Sequence, residues 1–360
     1  MSVAVLIMAG GTGGHVFPAL AVAHLLREWQ CDVTWVGTQR GLEARVVPAN
    51  GFAIEWLAVA GLRGKGLLTW LLAPVRLLVA LWQALAIVRR RRPAVVLGVG
   101  GFVTGPGGIA AWLLGRPLVI HEQNAIAGLT NRLLSRFSRA VLAGFPGSFP
   151  KHTDARCVGN PVRRDISALP PPAQRLATRA GSARLLVFGG SLGAARLNEV
   201  VPRALAALGP DLRPEVWHQA GQRGHEQALE AYRQAGVVAR IDAFIDDMSS
   251  AYAWADLVIC RAGALTVSEL AAVGLGSILV PFPFAVDDHQ THNARYLTET
   301  GAAILIPESE LTVERLAREL GALCADRARL LVMAGRARER AMPDAAETLA
   351  RAVLNAAEAA

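Results

Sequence analysis

The sequence is poor in cysteine, and its four cysteines are scattered. Cys31, Cys157, Cys260 and Cys324 lie far apart in a chain of 360 residues. This spacing fits neither a disulfide framework nor a zinc knuckle, so we expect reduced, mostly buried thiols, as in a cytoplasmic protein. The apolar run that begins the sequence is short and has no basic residue before it, so it does not predict a signal peptide.

Three glycine-rich stretches, at residues 10–14, 98–108 and 189–193, lack the residues of two common nucleotide-binding motifs. No Walker lysine follows any of them, so the sequence does not support an ATPase. The dinucleotide fingerprint requires a third glycine where this chain has Val16, and an acidic residue at the end of the second predicted strand. That strand, VTWVGTQR, ends without a carboxylate, which disfavours a nicotinamide-dependent oxidoreductase.

Acidic residues are scarce in the first part of the chain. Residues 1–160 hold 16 of the 37 basic residues but 6 of the 29 acidic ones, whereas residues 161–360 are nearly neutral. This asymmetry favours an anionic partner for the first part: a nucleic acid, an anionic membrane surface or a phosphorylated substrate. A GC-rich genome would explain why arginine greatly outnumbers lysine, but it would not explain the uneven distribution.

Short apolar runs typical of strands alternate with helical patterns along the whole sequence. Examples are VAVLIM and AVVLGVGG in the first half and RLLVFGG and SILVPFPF in the second. This alternation predicts the α/β class, with parallel sheets and helices on both faces. A proline-rich stretch separates the two series. We therefore predict two Rossmann-like domains, 1–160 and 161–340, facing each other across a cleft, and a C-terminal helix, 341–360, packed on the first.

One long apolar segment interrupts this alternation. Residues 67–88 are numerous enough to span a bilayer, and the basic run Arg89–Arg92 follows them. Against a span stand Pro74 and Arg76 inside the segment. The strands on either side must also join one sheet, which a spanning helix would prevent. We therefore expect a helix that does not cross the membrane.

This helix is predicted either to be buried on both faces or to leave one face for an interface. Four apolar residues lie on one helical stripe, with Arg76 and Arg89–Arg92 beside it: Leu71, Val75, Leu78 and Trp82. An apolar stripe flanked by arginines is typical of a helix that lies on an anionic membrane surface. We favour this second alternative.

Glycine-rich turns that lead into helices are suited to phosphate. Backbone N–H groups and the positive end of the helix point at the same place, and glycine allows a close approach. Turns also use glycine for purely conformational reasons. Because three such turns occur at equivalent strand ends, we expect a phosphate-bearing ligand.

The glycine turns belong to a longer series of motifs. In chain order these are GGTGGHVFPALAVA, GLRGKG, GGFVTGPGG, HEQNAIAGLTNRLL, GNPVR, GGSLGA, FIDDM, RAGALTVSEL and PFPFAVDDHQTHNA. The series covers essentially the whole chain and resembles the MurG family of glycosyltransferases. The resemblance implies a GT-B fold. It also implies inverting transfer of N-acetylglucosamine from UDP-N-acetylglucosamine to the muramoyl 4-hydroxyl of undecaprenyl-diphospho-muramoyl-pentapeptide, in peptidoglycan synthesis. No cofactor or catalytic metal is implied, and the expected location is the cytoplasmic face of the bacterial inner membrane, as a peripheral protein.

The resemblance also implies a set of substrate-binding residues. The positions that match the family's donor contacts are Thr12, Gly13, Gly14, Asn124, Arg163, Ser191, Ile245, Ala264, Leu265, Thr266, Val267, Ser268, Glu269 and Gln290. Arginine can bind a diphosphate as a fork, and a carboxylate can accept from both ribose hydroxyls, which suits Arg163 and Glu269. Alternatively, TVSE is a capping box with Thr266 as N-cap and Glu269 at its third position. An extra residue in the preceding loop would place His289 at the Gln290 position.

An inverting transfer needs a base for the acceptor hydroxyl. His15 is the first candidate because it ends a glycine loop and because histidine titrates near neutrality. Its alternative role is structural, as a histidine at a helix start bonded to a carbonyl or to the acceptor diphosphate. Glu122 is the second candidate base. The acidic and histidine residues at 287–292 contain no Asp-x-Asp pair, so we expect no metal site.

Three other functions fit parts of the sequence. A UDP-sugar 2-epimerase would share the fold but would not need the apolar and basic patch. A glycolipid synthase acting on diacylglycerol would share both the fold and the membrane contact. A nucleic-acid-binding protein would fit the net charge of +8, but no recognition-helix pattern or aromatic–basic motif occurs, so we expect no nucleic-acid partner.

Overall fold

The structure is a computed structural model that describes residues 2–58, 73–177, 179–190 and 193–359. The described chain divides into two compact units. The first runs to Arg163 and resumes at Met342, and the second is Arg164–Ala341. The division falls slightly after the expected position at 160/161. Arg163 stays with the first unit, where its guanidinium carbon lies 5.9 Å from the centre of the Phe17 ring.

The first unit is built on a parallel sheet. Its strands are β1 (Ala4–Ala9), β2 (Asp32–Gly37), β3 (Ala53–Trp56), β4 (Val95–Gly100), β5 (Leu118–Glu122), β6 (Ala140–Ala143) and β7 (Ala155–Cys157). Among the described residues their order is β3-β2-β1-β4-β5-β6-β7. Every residue of the central strand β4 is buried, as expected for a strand covered by helices on both faces.

Helices connect these strands. Those before the unit boundary are α1 (Gly13–Glu28), α2 (Glu43–Ala49), α3 (Ala73–Arg91), α4 (Thr104–Leu113) and α5 (Leu129–Leu134). None of the helices in the described part of the chain is long and apolar enough to span a bilayer. Part of the 67–88 segment, including Leu71, lies outside the described residues, as does the GLRGKG motif.

The second unit repeats this design. Its strands are β8 (Arg184–Phe188), β9 (Glu215–Gln219), β10 (Arg240–Asp242), β11 (Leu257–Cys260), β12 (Gly276–Leu279) and β13 (Ala303–Leu305), and its helices are α6 (Arg164–Ser167), α7 (Pro172–Ala177), α8 (Ala195–Ala206), α9 (His225–Ala235), α10 (Met248–Trp254), α11 (Ala264–Val273), α12 (His289–Thr298), α13 (Val313–Cys324) and α14 (Arg327–Glu339). Within the described ranges the sheet is parallel, in the order β10-β9-β8-β11-β12-β13. The two sheets confirm the predicted α/β class.

The last helix, α15 (Ala345–Glu358), returns to the first unit. It packs against α1 and β4. Leu349 and Val353 are fully buried there, in the same apolar cluster as Val5 and Ile7 of β1. The end of the chain therefore completes the core beneath the first glycine loop.

Candidate functional site

The first glycine loop connects β1 to α1 and leaves the helix start open. Gly11 has a φ of +94°, which glycine adopts without strain. Thr12 is the N-cap of α1 in an extended conformation, and its side chain makes no capping hydrogen bond. Gly13 and Gly14 form the first turn. The His15 N–H donates to the Thr12 carbonyl at 3.1 Å. The N–H groups of Gly13 and Gly14, the first two of the helix, have no carbonyl one turn before them, so this helix start can accept an anion.

A buried carboxylate that sequence analysis missed holds this loop. Glu43 is fully buried at the start of α2. One carboxylate oxygen accepts from the Gly11 N–H at 2.9 Å, and the other accepts from the N–H and the hydroxyl of Thr38 at 2.8 and 2.7 Å. A Cβ at position 10 would lie 2.7 Å from the Glu43 carboxylate, which explains the glycine there. The sequence feature that could have identified Glu43 is an acidic residue within the largely apolar stretch GLEARVVP.

His15 lies directly after this loop, half-buried in the first turn of α1. Its Nδ1 atom is 2.7 Å from Oε1 of Gln123, a buried residue that follows β5. A Cβ at Gly100 would lie 2.6 Å from the same nitrogen, so glycine at that position makes room for the imidazole. Gln123 belongs to the HEQN motif but was not among the sequence-predicted site residues.

The carboxylate of Glu122, the second candidate base, is occupied within the protein. The side chain is 3% exposed. One oxygen accepts from the backbone and side-chain N–H groups of Asn124, at 3.0 and 3.2 Å. The other accepts from the Gly128 N–H at 3.1 Å and from the Asn131 amide at 2.8 Å. This geometry makes Glu122 the organiser of the loop that carries Asn124.

The glycine turn of the second unit also leads into a helix start. Gly190 and Gly193 have φ values of +85° and +74°. A Cβ at Gly193 would lie 2.5 Å from the Ala220 carbonyl oxygen, so the close approach requires glycine. Ala194 caps α8 with an extended backbone and no side-chain hydrogen bond. Ser191 lies outside the described residues.

The segment Ala264–Glu269 forms the start of α11, and the capping-box alternative for it is wrong. The N-cap of α11 is Gly263, so Thr266 lies within the first turn and Glu269 in the second. The Glu269 carboxylate instead accepts a hydrogen bond of 2.9 Å from the hydroxyl of Tyr252 on α10. No motif in the sequence predicted Tyr252 as the partner of Glu269, because Tyr252 lies on a different helix.

The remaining residues of this segment divide by burial. Ala264 and Val267 are buried and pack inward, whereas Leu265, Thr266 and Ser268 are partly exposed. The Ser268 hydroxyl donates to the Ala264 carbonyl at 3.0 Å. Ile245, which follows β10, is buried.

Gln290 lies in the first turn of α12. Its amide oxygen accepts from the Phe282 N–H at 2.9 Å and so closes the loop between β12 and the helix. His289 lies beside it, with Nδ1 2.7 Å from the Val286 carbonyl oxygen. Among the described residues, no three or more histidine, cysteine, aspartate or glutamate side chains are grouped as metal ligands.

Helix α3 has one buried face and one exposed apolar face. Ala80, Ala84, Ile87 and Val88 are buried. The described members of the predicted stripe, Val75, Leu78 and Trp82, are 57, 58 and 69% exposed, and we call these three residues the apolar stripe. The alternative of a helix buried on both faces is therefore wrong.

Two of the arginines expected to flank the stripe have an internal partner. Arg90 and Arg91 each contact the Glu55 carboxylate at 2.7 Å. Burial raises the pKa of Glu55, but hydrogen bonds from the two arginines outweigh this effect and hold the pKa below its usual value. The sequence could not predict this pairing, because Glu55 comes close to α3 only when β3 takes its place in the folded sheet.

Comparison with known proteins identifies the family. Residues 5–143 match the glycosyltransferase family 28 N-terminal domain, and residues 184–349 match its C-terminal domain. The chain is 58% identical to the UDP-N-acetylglucosamine--N-acetylmuramyl-(pentapeptide) pyrophosphoryl-undecaprenol N-acetylglucosamine transferase of Nitrosococcus oceani, with 99% of both chains covered. It is 60% identical to the transferase of the same name from Alkalilimnicola ehrlichii, over 99% of this chain and all of the other.

Solved structures agree. The crystal structure of Acinetobacter baumannii MurG matches 98% of this chain and 99% of its own, with a TM-score of 0.85 and 39% identity. The calicheamicin glycosyltransferase CalG4, at 18% identity and a TM-score of 0.66, shares the fold. These matches confirm the predicted GT-B glycosyltransferase fold. The chain belongs to the MurG family of glycosyltransferase family 28.

Proposed function

We propose that this enzyme transfers N-acetylglucosamine from UDP-N-acetylglucosamine to the 4-hydroxyl of the muramoyl group of undecaprenyl-diphospho-muramoyl-pentapeptide, with inversion. The observation that carries the proposal is the identity of 58% to a curated transferase of that description over 99% of both chains. The three uncapped or glycine-led helix starts at residues 13, 195 and 264 support it, because both substrates contain a diphosphate.

The two units divide the substrates. The first unit, with the C-terminal helix, binds the lipid-linked acceptor, and the second binds the UDP-sugar. Glu269 supports this division: it is partly exposed near the start of α11, and its carboxylate can accept from the ribose hydroxyls. Tyr252 holds that carboxylate in place from α10. Five of the expected donor contacts belong to the first unit and are exceptions to this division: Thr12, Gly13, Gly14, Asn124 and Arg163. The guanidinium of Arg163 suits a diphosphate.

His15 is the general base. The acceptor hydroxyl loses its proton to the imidazole as its oxygen attacks the anomeric carbon, and the bond from that carbon to the UDP oxygen breaks on the opposite face. His15 suits this role because it is half-buried beside a helix start that can hold an anion. Glu122 is less suited, because four hydrogen bonds already occupy its carboxylate.

Backbone N–H groups at the helix starts stabilise the negative charge that builds on the departing UDP. Such preorganised donors act where charge develops, and removing a single one typically costs about 10²- to 10³-fold in turnover. The extended, uncapped Gly263 before α11 leaves the N–H groups of Ala264 and Leu265 available for this purpose. The glycine turn before α8 supplies a second helix start of the same kind.

The first unit lies on the cytoplasmic face of the bacterial inner membrane as a peripheral protein. The apolar stripe enters the interface, and exposed arginines around it meet anionic headgroups. The exposure of Val75, Leu78 and Trp82 supports this placement. Trp112 is 49% exposed on helix α4, which packs against α3. Arg89 and Arg92 carry the electrostatic contribution more readily than Arg90 and Arg91, which are paired with Glu55.

Release of UDP, with and without candidate acceptors, tests the function. We expect release from UDP-N-acetylglucosamine only when a polyprenyl-diphosphate-muramoyl-pentapeptide is present. Release with diacylglycerol would indicate a glycolipid synthase instead. Conversion of the donor to its 2-epimer, without any acceptor, would indicate an epimerase.

A further inference from the structure

A chain of hydrogen bonds links His15 to a backbone carbonyl through two buried side chains. Nδ1 of His15 lies 2.7 Å from Oε1 of Gln123, and Nε2 of Gln123 lies 2.9 Å from Nδ1 of His121. Nε2 of His121 lies 2.9 Å from the carbonyl oxygen of Gly159. Gln123 is 1% exposed and His121 is fully buried, so water does not compete for these bonds.

Two backbone carbonyls determine which atoms donate and which accept along this series of hydrogen bonds. The Gly159 carbonyl can only accept, so the hydrogen of His121 is on Nε2. The backbone carbonyl oxygen of His121 lies 2.9 Å from Nε2 of Gln123, and it too can only accept. The orientation of the Gln123 amide therefore follows from the network: its nitrogen faces His121 and its oxygen faces His15.

Burial keeps the His121 side chain neutral. Removal from water lowers the pKa of His121 to about 4, so the side chain is neutral at physiological pH. Its Nδ1 therefore carries a lone pair and accepts the second N–H of the Gln123 amide. Both N–H groups of that amide are then used, one on each acceptor of His121.

The amide orientation in turn sets the tautomer of His15. Because Oε1 of Gln123 accepts, Nδ1 of His15 donates, and the lone pair of the neutral imidazole is left on Nε2. Within the described part of the chain, Nε2 of His15 has no hydrogen-bond partner. That nitrogen is therefore available to take a proton from a substrate.

Two carboxylates near this series of hydrogen bonds accept hydrogen bonds from other groups. Glu122, next to His121 on β5, accepts its hydrogen bonds from the loop that follows it. Glu43, on α2, holds the loop before His15 through the Gly11 N–H. Neither carboxylate replaces Gln123 as the partner of His15.

We propose that Gln123 and His121 are positioning residues that lock His15 into the tautomer whose Nε2 accepts the proton of the acceptor hydroxyl. This inference rests on the proposed function, in which His15 is the base. In water, the neutral histidine side chain favours the opposite tautomer, whose Nε2 already carries a hydrogen and cannot accept another. Groups that orient a metal-bound histidine typically contribute about 10- to 100-fold, and we expect an effect of the same order here.

Two substitutions of Gln123 separate this role from packing. Gln123→Met preserves the length of the side chain but removes its hydrogen bonds, whereas Gln123→Glu keeps an acceptor for Nδ1 of His15. Both leave the His121 acceptors without their donors, and Gln123→Glu also buries a carboxylate beside them, so we expect both to lower thermal stability, Gln123→Glu by at least as much as Gln123→Met. Gln123→Met should lower kcat about 10- to 100-fold with an unchanged KM for UDP-N-acetylglucosamine.

Gln123→Glu should retain more kcat than Gln123→Met although it is no more stable. The acid limb of its pH–rate profile should move to higher pH, because the carboxylate stabilises the imidazolium form of His15. Gln234→Met is the matched control: its amide donates to Glu230 on the surface of the second unit. This control should leave both kcat and the profile unchanged.

Long-range ¹H–¹⁵N NMR measures the tautomer without turnover and without any variant of Gln123. Neutral wild-type His15 should show a protonated Nδ1 and an unprotonated Nε2, and loss of these signals in His15→Asn assigns them. A hydrogen on Nε2 would overturn the positioning role even if His15→Ala were inactive. Equal kcat for the two Gln123 variants, with unshifted profiles, would also overturn it. A protonated Nδ1 together with a fully active His15→Ala would instead overturn the proposed role of His15 as the base. The positioning role of Gln123 and His121 would fall with it.

Discussion

At the scale of single residues, the catalytic account depends first on His15. We expect His15→Ala to lower kcat about 10²- to 10⁴-fold, the usual contribution of a positioned base. Binding of UDP-N-acetylglucosamine, measured by calorimetry, should change little, because the base acts on the acceptor. His152→Ala, at an exposed histidine of the same unit, should behave as wild type. Turnover of His15→Ala within a few-fold of wild type would remove this residue from the mechanism.

The proposed donor site depends on Glu269. With the capping role excluded, Glu269→Ala should weaken UDP binding and leave the fold intact. A ligand at 100 times its Kd stabilises a protein by about 2.7 kcal/mol, so a thermal-shift assay detects the loss readily. Glu226→Ala, at an exposed glutamate of the same unit, should keep the full UDP-dependent shift. The same full shift in Glu269→Ala would contradict the ligand role.

The residues around these two sites show where sequence analysis reached its limit. His15, Glu122 and Glu269 were named as candidates because each belongs to a motif. Their partners were not: Gln123 lies 108 positions from His15, and Tyr252 lies 17 from Glu269 on another helix. Glu43 meets the glycine loop only once β1 and β2 are paired. Such contacts depend on the folded sheet, which a linear motif does not contain.

At the scale of elements, we expect helix α3 to contact the membrane surface. Replacing Leu78 and Trp82 by serine should reduce sedimentation with anionic vesicles and leave activity on a short-chain soluble acceptor unchanged. Added salt should partly release the wild type, because each basic contact contributes about 1 kcal/mol near such a surface.

An exposed apolar pair on α14 provides the control for this experiment. Leu331 and Val332 are 39 and 51% exposed in the second unit, and their replacement by serine should leave vesicle binding unchanged. Normal vesicle binding by the Leu78 and Trp82 variant would place the contact surface elsewhere, with Trp112 as the next residue to replace. Unfolding of that variant would contradict the exposure of the apolar stripe.

Strand β9 carries a second buried histidine whose protonation should destabilise the fold. Burial lowers the pKa of His218 from 6.5 to about 3. Its ring nitrogens lie 2.9 Å from the Tyr232 hydroxyl and 3.1 Å from the Asn198 amide oxygen. Because the unfolded chain binds the proton more readily, this contribution to stability is complete above pH 6.5 and is lost as the pH falls toward 3.

Comparison of wild type with His218→Gln between pH 7.5 and 4.5 measures this effect. The free energy of unfolding of the wild type should fall by up to about 3 kcal/mol more than that of the variant over this interval. The fixed cost of the substitution cancels in the comparison. Parallel curves for the two proteins would show that His218 does not titrate as its burial requires.

The boundaries of elements were predicted less well than their existence. The capping-box pattern placed a helix start at Thr266, but α11 begins earlier, after Gly263. The strand before it ends at Cys260, and this end determines where the next helix can begin. A window of small residues such as AGALTVSE contains several possible N-caps, and only the position of β11 selects one of them.

At the scale of the whole molecule, the alternation of apolar runs and helical patterns was sufficient to predict the class of fold. Strands such as Val95–Gly100 are buried on both faces, and their continuous apolar sequences follow directly from that. The identity of the sugar and of the acceptor did not follow from periodicity or charge. It came from the series of motifs, and it agrees with relatives that are 58 and 60% identical.

The most direct test of the central claim is analysis of the product formed from UDP-N-acetylglucosamine and a short-chain polyprenyl-diphospho-muramoyl-pentapeptide. Mass spectrometry should show the acceptor with one added N-acetylhexosamine and one UDP released for each product. The anomeric coupling in NMR should show a β linkage, inverted from the α-linked donor. An α linkage, or consumption of the donor without glycosylation of this acceptor, would contradict the account.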